Sequence, residues 1–157
     1  MSINHKKFPW KVIGLTVLIA GTIDISLALL NAYLQRGTTP NIVFRYIASG
    51  IFGTEAFSGG IGMAVSGLLF HYLITFNFCI IFFLLYHNRI IPGKNKILTG
   101  IITGVLVWGI MQYIIVPLSQ VPGKQSGDIT NMFLSIIILV IAIGLPFSLM
   151  ANAYYRS

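Results

Sequence analysis

Four apolar stretches of 20 residues or more alternate with short polar connections, at about 12–34, 61–86, 97–118 and 129–155. At ~1.5 Å per residue each is long enough to cross ~30 Å of hydrocarbon. Between the first two lies a shorter stretch, 40–49, that reads as a helix: Thr39 caps it, Pro40 takes its first position, and Gly50 ends it. Its length of ~15 Å is too little to span. Asn41, Arg45 and Ser49 form a narrow polar stripe on it, with Ile42, Val43, Phe44, Tyr46 and Ile47 around the rest. The pattern predicts one domain over 1–157: an all-α, integral membrane four-helix bundle with a short interfacial or re-entrant helix between spans one and two. A lone arginine such as Arg45 is expected to snorkel or face lipid phosphate.

The polar positions inside the apolar stretches carry the next layer of information. Asp24 sits near the middle of span one, where a carboxylate costs about 2.5–3.5 kcal/mol, so it needs a partner or a proton. At helical spacing Ala20, Gly21, Asp24, Ala28 and Asn31 share a face, which predicts that this face points into the bundle. His71 lies at a similar depth in span two, with Gly67 and Thr75 one turn away on its face. Before it run Gly53-Thr54-Glu55, where Thr54 offers a second helix cap, and then Gly59, Gly60 and Gly62. Gly60, Gly62 and Gly67, with the Gly100-xxx-Gly104 pair of span three, are expected to pack helices closely. Pro92-Gly93 marks a turn that predicts spans two and three as antiparallel neighbours. Pro146 inside span four removes the bond to the Ala142 carbonyl and predicts a kink. Pro117 and Pro122-Gly123 close span three, and the loop through Gly127-Asp128 reads as exposed.

Composition fits this picture. The chain is 56% hydrophobic and 8% charged, against about a quarter charged in soluble domains. Its net charge of +7 is not a nucleic-acid footprint, because the basic residues are neither on one helix face nor interleaved with aromatics. They punctuate the spans instead. Lys6, Lys7, Lys11, Arg89, Lys94, Lys96 and Arg156 fall on one side, and Arg36, Arg45 and Lys124 on the other, a bias that predicts both termini in the cytoplasm. Ser26-Leu27-Ala28 imitates a signal-peptide cleavage site, but hydrophobicity continues past it to Leu34, which suits a span. The single Cys79 allows no internal disulfide.

The candidate polar site therefore comprises Asp24, Asn31, Glu55 and His71, with Asn77, Gln112 and Tyr113 as support. If Asp24 and His71 meet, an ion pair or shared proton lowers the cost of burying both; the plainer reading is a bond that fixes helix register. No ligand pair at i, i+3 or i, i+4 supports a metal site from Asp24, Glu55 and His71, and no GxSxG, HExxH or GK[ST] motif suggests an enzyme or a phosphate loop. Neither metal nor cofactor is expected, and the lipid bilayer is the expected partner, with a homodimer through the small-residue faces also open.

GTIDISLALL in span one, RYIASGIFGTEAFSGGIGMAVSGLLFHYLI into span two, and VPLSQVPG after span three together resemble a family of small four-helix bacterial inner-membrane proteins. That resemblance implies topology and an inner-membrane setting, and assigns no activity. Two function classes follow: handling of protons, ions or a small solute through a buried Asp/His pair, or a non-transporting assembly, stress-tolerance or interaction subunit.

Overall fold

A computed structural model describes residues 8–88, 90–91, 95–122 and 129–156. The readings placed on Lys6, Lys7, Arg89, Pro92, Gly93, Lys94, Gly123, Lys124, Gly127 and Asp128 lie outside those residues. Among the described residues the chain is all-α. Four helices are long and apolar enough to cross a membrane: α1 (Trp10–Arg36), α3 (Gly60–His87), α4 (Lys96–Leu118) and α5 (Ile129–Arg156). Each begins and ends within about two residues of the stretch read from the hydrophobic pattern. The short helix α2 (Pro40–Phe52) follows α1, and a tight 3₁₀ turn over Gly53–Phe57 leads from it to α3. The bundle thus has an α2 end and, opposite it, the end where α1 starts and α5 finishes.

Thr39 and Pro40 take the N-cap and first helical positions of α2, but the Thr39 side chain makes no capping hydrogen bond and the helix runs past Gly50. It ends where Gly53 adopts φ 58°, ψ −143°, a conformation open essentially to glycine alone. Gly50 instead ties the end of α4 to α2, its carbonyl accepting the Gln120 amide at 3.0 Å. The second helical start expected at Thr54 is the 3₁₀ turn, whose start no side chain caps. Arg45 departs from the sequence reading too. Its Nη1 turns back to donate to the Phe57 carbonyl at 2.8 Å, because that turn leaves a backbone acceptor within its reach.

Spans two and three are not packed neighbours. α3 packs on α1, α2 and the second half of α5, whereas α4 makes its interface with α5. Glycines decide this. A Cβ on Gly144 of α5 would collide with the Gly100 carbonyl and stand 2.7 Å from the Gly104 nitrogen, so only paired glycines let α4 and α5 approach so closely. Gly67 plays the same part where α2 crosses α3, its missing side chain giving room to the Phe44 carbonyl. Gly60 and Gly62 stand in open space, so the packing role expected of them is not seen within the chain. Gly60 serves the backbone instead, with φ 66° at the start of α3.

Two helices contain a wide π turn, Met111–Ile115 in α4 and Val140–Gly144 in α5. Each ends two residues before a proline, Pro117 and Pro146. A proline ring presses on the carbonyl four residues back and offers it no hydrogen bond; here those carbonyls, of Tyr113 and Ala142, fall within the widened turns.

The dry core occupies one half of the bundle. Ile13, Val17 and Ala20 of α1 meet Cys79, Phe82, Phe83 and Tyr86 of α3 and Ala142, Phe147 and Ala151 of α5. All but Ala142, at the midpoint of α5, belong to the halves of these helices at the end where α1 starts and α5 finishes. Outward, the helices expose Leu15, Leu18, Leu69, Leu73, Ile102, Leu106 and Ile137, an apolar skin that a water-soluble monomer of this size would not carry.

Candidate functional site

Asp24 and His71 come together. His71 Nδ1 lies 3.9 Å from Asp24 Oδ2, and the two side chains retain 10% and 17% of their exposure, respectively. Asp24 is 14 residues from the start of α1 and 12 from its end, which places the pair ~18 Å from the nearer end of that helix. The other ring nitrogen, Nε2, is 2.9 Å from the Gly21 carbonyl. That carbonyl only accepts, so Nε2 carries the hydrogen and donates it. Local packing fixes this geometry. Gly21 offers no side chain, and Tyr72 fills the space: a Cβ there would stand 2.8 Å from the tyrosine ring. Tyr72 sits edge-on to His71 with ring centroids 5.4 Å apart, and its hydroxyl shares a 2.8 Å hydrogen bond with the Thr22 hydroxyl. Thr75, one turn on, donates to the His71 backbone carbonyl at 2.9 Å.

With Nε2–H donated to Gly21, Nδ1 and the carboxyl can hydrogen-bond only when one of them carries a proton. A bare Nδ1 against an ionised carboxylate would oppose two lone pairs. A proton on Nδ1 gives an ion pair, and a proton on the carboxyl gives a neutral donor–acceptor pair; either way the favourable state holds one proton between the residues. At 3.9 Å the contact is longer than a direct hydrogen bond and is an electrostatic approach between the two groups.

The remaining candidates lie elsewhere. Glu55 is exposed in the 3₁₀ turn, where its backbone carbonyl accepts from Ser58. Among the described residues no three His, Cys, Asp or Glu side chains gather as metal ligands. Asn77 is exposed and donates to the Leu73 carbonyl of its own helix. Asn31 accepts a 2.7 Å bond from Gln35 and belongs to a second feature, a cavity of about 530 Å³ at the α2 end.

That cavity opens where the dry core stops. α1 lines it with Asn31, Gln35 and Arg36, α2 with Tyr46, α4 with Trp108, Gln112 and Tyr113, and α5 with Asn131 and Ser135. The π turn of α4 carries Gln112 and Tyr113, so the distortion imposed ahead of Pro117 lies in the wall. Trp108 Nε1 donates to Ser135 Oγ at 2.9 Å across α4 and α5. Sequence reasoning named Asn31, Gln112 and Tyr113 but missed Gln35, Arg36, Tyr46 and Asn131 as their companions. The available signal was positional: Gln35, Arg36 and Asn131 fall within about two turns of the α2 end of their helices, and Tyr46 lies on α2 itself.

The chain matches no protein-family model, no curated protein and no solved structure. The likeness to small inner-membrane proteins thus gains no named family.

Proposed function

We propose that this chain is a multi-pass protein of the bacterial inner membrane, with both termini in the cytoplasm, that handles protons, ions or a small solute through Asp24 and His71. The observation that carries the reading is the 3.9 Å approach of His71 Nδ1 to Asp24 Oδ2 midway along two helices long and apolar enough to span a bilayer. An ionisable pair at that depth is costly to keep for packing alone, and a pair that holds a single proton is a natural relay. The apolar skin supports the membrane setting. The charges support the orientation, with Lys11, Lys96 and Arg156 at the end carrying the termini and Arg36 and Arg45 at the α2 end.

The test is flux in proteoliposomes loaded with a pH-sensitive dye and driven by a proton or potassium gradient. Wild type should acidify the lumen, and Asp24→Asn and His71→Ala should abolish that while eluting as folded protein. Wild-type flux no greater than that of protein-free vesicles, or flux unaltered in both variants, refutes the relay. Should both variants fail to fold while wild type shows no measurable flux, the bonds from His71 to Gly21 and from Tyr72 to Thr22 are register-fixing contacts between α1 and α3, and the reading becomes an assembly, stress-tolerance or interaction subunit.

A further inference from the structure

The cavity at the α2 end is separate from the Asp24–His71 pair, and its chemistry has a definite sign. Among the described residues Arg36 is the one charged side chain in its lining, and none of them brings a carboxylate to it. Arg36 has no hydrogen bond or ion pair among the described residues, and neither do the side-chain amides of Gln112 and Asn131. All three thus present N–H donors at the cavity wall that no described residue engages. Burial pushes the Tyr46 hydroxyl up from its ordinary value, an effect the nearby Arg36 charge partly offsets, so that hydroxyl stays protonated and available to donate. Trp108 adds an aromatic wall. A volume of about 530 Å³ exceeds what a bare inorganic ion needs and falls within the ~300–1,000 Å³ usual for small organic ligands.

We propose that this cavity binds a phosphate-bearing organic anion, with Arg36 holding the phosphate and Gln112 and Asn131 donating to the polar body. Arginine's planar fork suits phosphate geometry, and the amides and hydroxyl supply the neutral donors that orient the rest. The same chemistry has two sources, a soluble phosphate monoester and the headgroup of an anionic phospholipid.

Trp108 reports on the site directly. In a Trp10→Phe background it is the single remaining tryptophan. Full-length protein in neutral detergent is titrated with glycerol 3-phosphate, and with glycerol as the uncharged control, while Trp108 fluorescence is followed. In parallel the protein is reconstituted into nanodiscs of phosphatidylcholine containing increasing phosphatidylglycerol. A saturable change with glycerol 3-phosphate and none with phosphatidylglycerol identifies a soluble ligand; the reverse identifies a lipid headgroup. In either arm Arg36→Gln, an exposed position that should not disturb folding, should weaken the midpoint about tenfold or more. The paired change Gln112→Leu with Asn131→Leu should weaken it further. The proposal is overturned by the absence of a saturable response in both arms, by a response to glycerol equal to that with glycerol 3-phosphate, or by a midpoint unchanged in Arg36→Gln.

Discussion

A double-mutant cycle on Asp24 and His71 measures whether the two residues act as one unit. Two unit charges 3.9 Å apart attract by about 4 kcal/mol at an effective dielectric of 20, which sets a ceiling for the ion-paired state. The measurable coupling is smaller. A neutral donor–acceptor pair needs no such attraction, and when one partner is removed the other can discharge, so neither single variant strands a full charge. Side-chain couplings between membrane helices average ~0.6 kcal/mol and reach ~1.7. For a contact that holds one proton we expect about 1–2 kcal/mol. The variants are Asp24→Asn, His71→Gln and the double change, all close in volume, so that cavities do not dominate. The assay is reversible unfolding in mixed micelles at neutral pH, with far-UV circular dichroism as the signal. A coupling energy below about 0.3 kcal/mol would mean that the two side chains are indifferent to each other, and the single-proton argument would fall.

Other perturbations probe the scaffold that sets this geometry. Gly144→Ala drives a methyl into the Gly100 carbonyl and should cost about 1–3 kcal/mol through the parting of α4 and α5, read as a lower unfolding midpoint. Gly53→Ala should cost about 1–3 kcal/mol because ψ −143° at positive φ excludes a side chain. Gly37→Ala, at φ 62° and ψ 20° with open space around it, should cost only about 1 kcal/mol, and equal losses at the two sites would contradict the backbone argument. Tyr72→Phe removes the 2.8 Å bond to Thr22 and should cost about 0.5–1.5 kcal/mol, with Thr22→Val adding little on top.

How much of this was readable in the residues depends on the range of the interaction. Helix ends were legible because they are local: Trp10, Arg36, Lys96 and Arg156 mark where the apolar runs stop. Depth pointed to the Asp24–His71 meeting without requiring it, since two polar residues midway along apolar helices have few partners other than each other. The order of helices around the bundle did not follow. A short connection favours adjacent packing, but eight residues lie between His87 and Lys96, enough chain for α4 to settle on α5. There Gly100 and Gly104 find Gly144, and a glycine's partner is not encoded beside it. The cavity was illegible for the same reason. Its walls come from α1, α2, α4 and α5, and only the rotation of each helix shows that Arg36, Tyr46, Gln112 and Asn131 converge. Arg45 misled because an exposed phosphate and a nearby backbone carbonyl are equally good acceptors for a guanidinium.

The division of the bundle into a dry half and a hollow half places the pair at their boundary, and this has a direct consequence for water. Along one face of α1 the residues run from Ala20, which is fully buried in the core, through Asp24 and Ala28 to Asn31 at the cavity wall. Asn31 is two turns beyond Asp24, ~10 Å along the axis. If the cavity is the aqueous approach to the pair, reactivity toward a charged, membrane-impermeant thiol reagent must fall along this face in a fixed order. Cys79 is fully buried, and its replacement in Cys79→Ser provides a thiol-free background. In that background Ala32→Cys, at the cavity wall, should label fastest, Ala28→Cys more slowly, and Ala20→Cys only after unfolding. Labelling at Ala28→Cys, one turn from Asp24, would put bulk water within a short hop of the carboxyl. Complete protection there with fast labelling at Ala32→Cys would seal the pair from the cavity, leaving two independent sites. Rapid labelling at Ala20→Cys would contradict the dry core itself.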